Sequence, residues 1–155
     1  MLPERIVSGG QTGVDRAALD AALEAGLPCG GFAPKGRRAE DGPIPERYPL
    51  QECGSADYIL RTELNVVHSD ATLVINRGQL GGGTSATVDL CQQHDKPYSV
   101  VQLDKVSAEQ AAASIRYFLS QAKPRVLTIA GPRESKRPGI GQATLDILRL
   151  VLRSP

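Results

Sequence analysis

Two hydrophobic rhythms alternate along the chain. Short runs of β-branched and other apolar residues occupy positions 5–8, 28–32, 71–76, 98–103 and 125–130, and between them apolar residues recur every three or four positions over 14–25, 55–68, 84–94, 107–121 and 139–152. Runs of the first kind predict strands and stretches of the second kind predict helices, because side chains repeat every two residues on a strand and about every 3.6 on a helix. Their regular alternation predicts βα units wound about a mostly parallel sheet of about five strands, an α/β fold.

Within that frame the first helix carries Ala17, Ala18, Ala21, Ala22 and Ala25 on one face, small enough to lie close to a sheet, and Gly26 reads as its C-cap. The last helix presents Leu145, Ile147, Leu148, Val151 and Leu152 as an apolar stripe, suited to a core or a subunit contact. Residues 33–54 break the rhythm: they hold four prolines and four charged side chains of each sign. A long loop without regular structure is uncommon in a compact domain and is usually functional or disordered; the prolines stiffen this one and predict an ordered loop. At 155 residues, with no internal repeat or linker, the chain is expected to form a single domain that buries roughly 70% of its unfolded surface.

Composition removes several classes of function. A net charge of +1 with 23% charged residues lacks the basic excess of a general nucleic-acid or membrane-surface binder, so neither partner is expected. Cys29, Cys53 and Cys91 are odd in number, widely spaced and without Cys-x-x-Cys or Cys/His patterning, which supports neither a disulfide framework nor a zinc site. The start "MLPERIVSGG" enters a strand at once, with no basic and apolar leader, and no apolar run approaches about 18 residues, so a cytoplasmic protein is expected.

Ligands of parallel α/β sheets bind outside the carboxyl ends of the strands, which makes the segments after each strand the informative ones. After the first comes "SGGQTGVD": Gly9 and Gly10 allow close backbone approach, Gly13 lets a helix begin near the strand, and Gln11 and Thr12 lie between them. Such a segment is a candidate anion cradle, although Ser8 stands where a dinucleotide fingerprint has its first glycine and Asp15 would repel a phosphate placed beside it. After the second strand, Lys35, Gly36, Arg37 and Arg38 place three cations in four residues. After the third, Gly81, Gly82 and Gly83 precede Thr84, which is placed to cap a helix or to offer its hydroxyl to a ligand. In the flavodoxin-like strand order 2-1-3-4-5 the first and third of these loops would open onto one switch point. Arg133 and Ser135, after the fifth strand, would then lie at the far edge and reach a ligand only as a lid or across a subunit interface.

Micromolar affinity needs roughly 8 kcal/mol, whereas one charge-assisted hydrogen bond contributes about 1.5 to 3 and a helix dipole about 0.3 to 1, so several loops must converge. Catalytic patterns are thinner. His68 and His94 read as helix C-caps or packing residues, without a nearby Ser/Asp or Cys motif. Asp15, Glu40, Asp41 and Asp70 could each supply an acid or base, and Thr62 and Asn65 could line a site or lie on a helix surface. Binding is better supported than catalysis.

Taken together, "GGQTGVDRAALD", "APKGRRAEDG", "RTELNVVHSDATLVI", "GGGTSAT" and "AGPRESKRPGI" resemble the molybdenum cofactor carrier family over residues 6–140. That family belongs to a Rossmann-like nucleotide-binding superfamily that includes lysine-decarboxylase-like phosphoribohydrolases. The resemblance implies a three-layer α/β/α sandwich and a homo-oligomer, a tetramer, that binds the molybdenum cofactor (molybdopterin, which carries a terminal phosphate) or molybdate at its glycine-rich loops. The alternatives are a nucleotide-sensing module or an enzyme acting on a nucleotide's N-glycosidic bond. The hydrolytic relatives carry PGGxGTxxE, but here Leu80 replaces the first glycine and Thr87 the glutamate.

Overall fold

The computed structural model describes residues 2–153. In chain order the elements are β1 (Arg5–Val7), α1 (Val14–Ala25), β2 (Cys29–Gly30), β3 (Phe32–Ala33), β4 (Arg38–Ala39), β5 (Gly42–Pro43), β6 (Gln51–Glu52), α2 (Tyr58–Val67), β7 (Ala71–Asn76), α3 (Gly82–Gln93), β8 (Tyr98–Gln102), α4 (Ala108–Ala122), β9 (Val126–Ala130) and α5 (Ile140–Leu152). The central sheet is parallel throughout and runs β2-β1-β9-β7-β8. It is the α/β fold that the alternating pattern predicts, in the Rossmann-like form that the resemblance implies.

The strand order is not the expected one. Among the five predicted strands it reads 2-1-5-3-4, with the last inserted between the first and third, instead of 2-1-3-4-5. Burial gives the reason. Leu127, Thr128 and Ile129 of β9 are all buried, which requires cover on both faces, whereas four of the five residues of β8 are only half-buried, as at an edge. The alanine face of α1 also packs along α5, which draws β9 beside β1. Counted from β9 as the first strand, the same sheet reads 3-2-1-4-5, the doubly wound order of dinucleotide-binding folds.

Alternation along the strands divides the core. Leu127 and Ile129 of β9, with Leu73 and Ile75 of β7, join the large cluster built with α1, α4 and α5. Thr128 turns the other way, its hydroxyl within hydrogen-bond distance of Asn65 O (3.0 Å) and Ser69 Oγ (2.9 Å), towards α2, where Val66 packs with Leu90 and Cys91 of α3. Helix ends follow the local chemistry. Ser107 and Gln110 form a reciprocal capping box on α4, and His68 and His94 are the C-caps of α2 and α3, as expected.

The predicted second strand splits at Gly31, whose φ of +124° turns the chain out of the central sheet, so that β3 pairs with β6. The loop that follows is ordered, with short β4–β5 pairing inside it. Arg37 holds it together: its guanidinium donates to the carbonyls of Ile44 (3.0 Å), Pro45 (2.8 Å), Tyr48 (2.9 Å) and Leu50 (3.2 Å). Arg37→Ala is expected to cost roughly 2–4 kcal/mol in urea unfolding, since four partly buried carbonyls lose a charged donor. Lys35→Ala, at an exposed neighbour, should change stability by less than about 0.5 kcal/mol.

Candidate functional site

Counted from β9, the strand order reverses between β9 and β7, so the connections leaving these two parallel neighbours diverge and open a crevice at their carboxyl ends. A cavity of about 560 Å³ occupies that crevice. Its walls come from four places: Gln11 and Asp15 at the start of α1; Tyr58, Ile59, Arg61 and Thr62 on α2; Asn76 to Thr87 at the β7–α3 junction; and Gly131, Pro132 and Arg133 after β9, followed by Lys136 and Arg137.

One part of the lining suits an anion. The N-cap of α3 is Gly81, with no side-chain hydrogen bond to the first turn, so backbone N–H groups of that turn are left without a capping acceptor. Lys136 Nζ lies so close to Gly82 that a β-carbon there would stand 2.6 Å from it. Arg137 braces the same loop by donating to Arg77 O at 2.5 Å and Gln79 O at 3.2 Å. Thr84 lies inside the first turn of α3 and does not cap it; the residue is 6% exposed and its hydroxyl has no protein partner among the described residues. The buried Nε of Arg133 makes no hydrogen bond either, and its closest acid is Glu40 Oε1 at 3.4 Å.

A second part of the lining is acidic and buried. Asp15 is 4% exposed, receives the Gln11 N–H at a long 3.4 Å, and has Arg61 Nη2 at 3.8 Å, beyond hydrogen-bond reach. Burial pushes the Asp15 carboxyl up to about 6 from 3.8, against the opposing pull of Arg61, the Gln11 and Gly9 N–H groups and Arg16. Arg61 is itself incompletely satisfied. Its Nη1 donates to Thr62 Oγ1 at 2.7 Å, but its Nε is buried without a partner, against Gly9.

The structure divides the predicted site residues. Gln11, Asp15, Gly81, Gly82, Gly83, Thr84 and Arg133 line the cavity. Gly9, Gly10 and Gly13 instead permit close packing: a β-carbon would strike Arg61 at Gly9, Leu50 and Ile44 at Gly10, and Pro132 O at Gly13. Thr12 and Ser135 converge on Glu40, whose carboxylate accepts from both hydroxyls and from Ser135 N at 3.2 Å, latching the long loop over two others. Lys35, Gly36, Arg37 and Arg38 lie outside the cavity lining, with Arg38 over the Tyr58 ring at 5.0 Å and donating to Ala56 O at 3.2 Å.

Other expectations resolve in the same way. Arg133 comes from the middle of the sheet and not from its far edge, because β9 is central. Thr62 is a cavity residue, Asn65 braces the Phe32 backbone, Asp41 pairs with Arg16 at 2.5 Å, and Asp70 accepts from the N–H groups of Arg125 and Val126. Arg61, Tyr58 and Asn76 were not singled out by the sequence. Asn76 carried a signal, as the last residue of a predicted strand; Arg61 carried none, since a helix interior gives no cue that an arginine faces a ligand.

Fold and site together define a doubly wound α/β protein with a cavity at its switch point, whose last βα unit takes the place that the first usually holds. The chain belongs to the circularly permutated YpsA SLOG family, whose model matches residues 6–152. The 3-2-1-4-5 order obtained when β9 is counted first is compatible with a circular permutation of a doubly wound fold. A crystal structure at 1.45 Å of a "putative molybdenum carrier protein" from Syntrophus aciditrophicus SB is 48% identical, with a TM-score of 0.94 over 98% of this chain and 96% of that one. No curated protein matches the chain.

Asp15 also yields a pH prediction. Its folded value of about 6 exceeds the ordinary 3.8, so between those pH values the folded state binds more protons than the unfolded one, and stability falls as pH rises. About two pH units at 1.36 kcal/mol each give an upper bound of roughly 3 kcal/mol. The difference in unfolding free energy between Asp15→Asn and the wild type should therefore move in favour of the variant by up to that amount from pH 4 to pH 7. Urea unfolding at the two pH values measures it; a difference independent of pH would be contrary to a raised Asp15.

Proposed function

We propose that the chain binds a phosphate-bearing ligand or oxyanion in the cavity between β9 and β7, most specifically the molybdenum cofactor of molybdopterin type, or molybdate. The observation that carries this reading is the uncapped start of α3 with Lys136 beside Gly82, at the switch point of the sheet. Arg133, Arg61 and the Thr84 hydroxyl extend it, as buried or half-buried donors with bonding capacity to spare. The volume of about 560 Å³ lies within the range of sites for cofactor-sized molecules. Molybdopterin fits this donor set: its terminal phosphate would lie at α3 and Lys136, and the ligand would carry the metal with it. The 48% identical relative, a "putative molybdenum carrier protein", points the same way.

A nucleotide is the second reading, favoured by the doubly wound strand order. Hydrolysis of its glycosidic bond has less support, because Thr87, at the position of the relatives' glutamate, spends its hydroxyl on Gly83 O at 2.9 Å. We extend the proposal to a cytoplasmic homo-oligomer, a tetramer, for which the exposed Leu23 and Tyr117 offer apolar contact surface. No helix among the described residues is long and apolar enough to cross a membrane.

Mass spectrometry of gently purified protein, followed by titration with molybdenum cofactor and molybdate, tests the ligand. Lys136→Ala and Arg133→Ala should each weaken binding by about tenfold or more, with the loss shrinking at high salt. Arg38→Ala, outside the cavity, should leave affinity unchanged. Absence of binding at high micromolar ligand would overturn the proposal.

A further inference from the structure

Two parts of the cavity lining ask for different chemistry: the start of α3 with Lys136, and Asp15 with Arg61. Asp15 repels the anion that the α3 end attracts, so a ligand that fills the whole cavity must meet Asp15 with hydrogen-bond donors. The carboxylate has lone pairs to spare: within the protein it meets the Gln11 N–H at a long 3.4 Å and the Gly9 N–H, with Arg61 Nη2 at 3.8 Å. A planar edge carrying two adjacent N–H groups matches a carboxylate in the way a guanidinium does, with two parallel bonds. Beside it, Arg61 Nη2 makes no hydrogen bond among the described residues and can donate to a carbonyl oxygen. Acceptor and donor thus stand side by side, and the apolar surfaces of Tyr58, Ile59 and Pro132 line the same cavity, where they suit the faces of a ring.

We propose that the ligand is two-ended: a fused heterocycle whose 2-amino-4-oxo edge gives its amino and ring N–H groups to Asp15 and its oxo group to Arg61, with an anionic tail at the start of α3. The inference rests on the reading of that start as an anion site. Pterins and guanine share the edge, and affinity separates them. Asp15 is on this account a specificity residue: with an apolar or phosphate-only ligand its buried charge would lack a partner, and ligands without the amino group leave one of its bonds unmade.

Calorimetric titration tests the inference with matched pairs. GMP and IMP differ only in the 2-amino group; a 6-hydroxymethylpterin phosphate and the corresponding lumazine phosphate differ in an amino against an oxo group at the same position. Inorganic phosphate reports the anion end alone. In the wild type the amino member of at least one pair should bind roughly 10- to 100-fold more tightly, and the preferred pair names the ring. Asp15→Asn should lose most of that preference while its affinity for inorganic phosphate does not fall. Equal affinities within both pairs in the wild type, a comparison that needs no variant, would overturn the inference, as would a preference retained in Asp15→Asn. Inorganic phosphate bound without ring preference overturns this inference and spares the anion site; no binding by any probe overturns both.

Discussion

The parallel pairing of β9 with β1 on one side and β7 on the other is the constraint on which the rest of the molecule depends. Ile6 and Val7 lie opposite Leu127 and Thr128, and the same two residues of β9 lie opposite Ala71 and Thr72. Two regions far apart in the sequence therefore meet in the centre of the sheet. The entropic cost of closing so long a loop rises only logarithmically with length, so the buried apolar surface of β9 and α5 can offset it. Local contacts fix where the strand starts and stops: the Asp70 carboxylate receives the N–H groups of Arg125 and Val126, and Gly131 passes so close to Ile75 O and Val14 that no side chain fits there. The cavity is a consequence of this pairing, since its crevice exists only because β9 and β7 are neighbours whose connections diverge.

Within the crevice, stability and recognition pull in opposite directions. A carboxylate as buried as Asp15 is costly to ionise, and the 3.8 Å gap to Arg61 leaves the pair without the hydrogen bonds that would repay desolvation. The guanidinium is held in place all the same, by Thr62, by the Tyr58 ring at 5.4 Å and by the absence of a side chain at Gly9. Both groups are thus oriented by the fold and not saturated by it. Buried polar atoms with unmet bonding capacity are rare in folded proteins, and two of those found here, Arg61 Nε and Arg133 Nε, belong to residues that line the cavity.

The elements were legible in the sequence because each rests on local chemistry: the alanine face of α1, the glycine at its end, the apolar stripe of α5. Their order across the sheet was not, because register partners such as Val7 and Thr128 carry no mark that distinguishes an adjacent pair from a distant one. Burial on both faces of β9 was the available cue, and a five-residue apolar run states it only weakly. The glycine-rich loops were found, but glycines that serve packing, such as Gly10 against Leu50, look in sequence like glycines that serve a ligand. The basic segment shows the same limit. Position after a strand pointed Arg37 at a ligand, whereas its left-handed backbone turns its guanidinium back onto the carbonyls of its own loop.

The permuted order explains why so distant a rearrangement leaves a coherent site. In a doubly wound sheet the ligand meets only the carboxyl ends of strands and the first turns of helices, and each βα unit contributes its loop independently of when it is made. Transferring the β9–α5 unit from the front of the chain to its end therefore preserves the adjacency of Gly131, the β7–α3 glycines and α2. It changes what the chain must connect: β1 no longer follows β9, and the loop after β1 has Asp15 and Gln11 at the cavity, where it meets the loop after β9 across Gly13 and Pro132. That contact is closed by Val14 N donating to Pro132 O at 3.3 Å and Glu134 N donating to Thr12 Oγ1 at 3.2 Å. The acidic floor of the cavity and one of its cationic walls are thus fastened to each other directly, so a ligand that engages Asp15 and Arg133 together binds a single rigid frame instead of ordering two mobile loops.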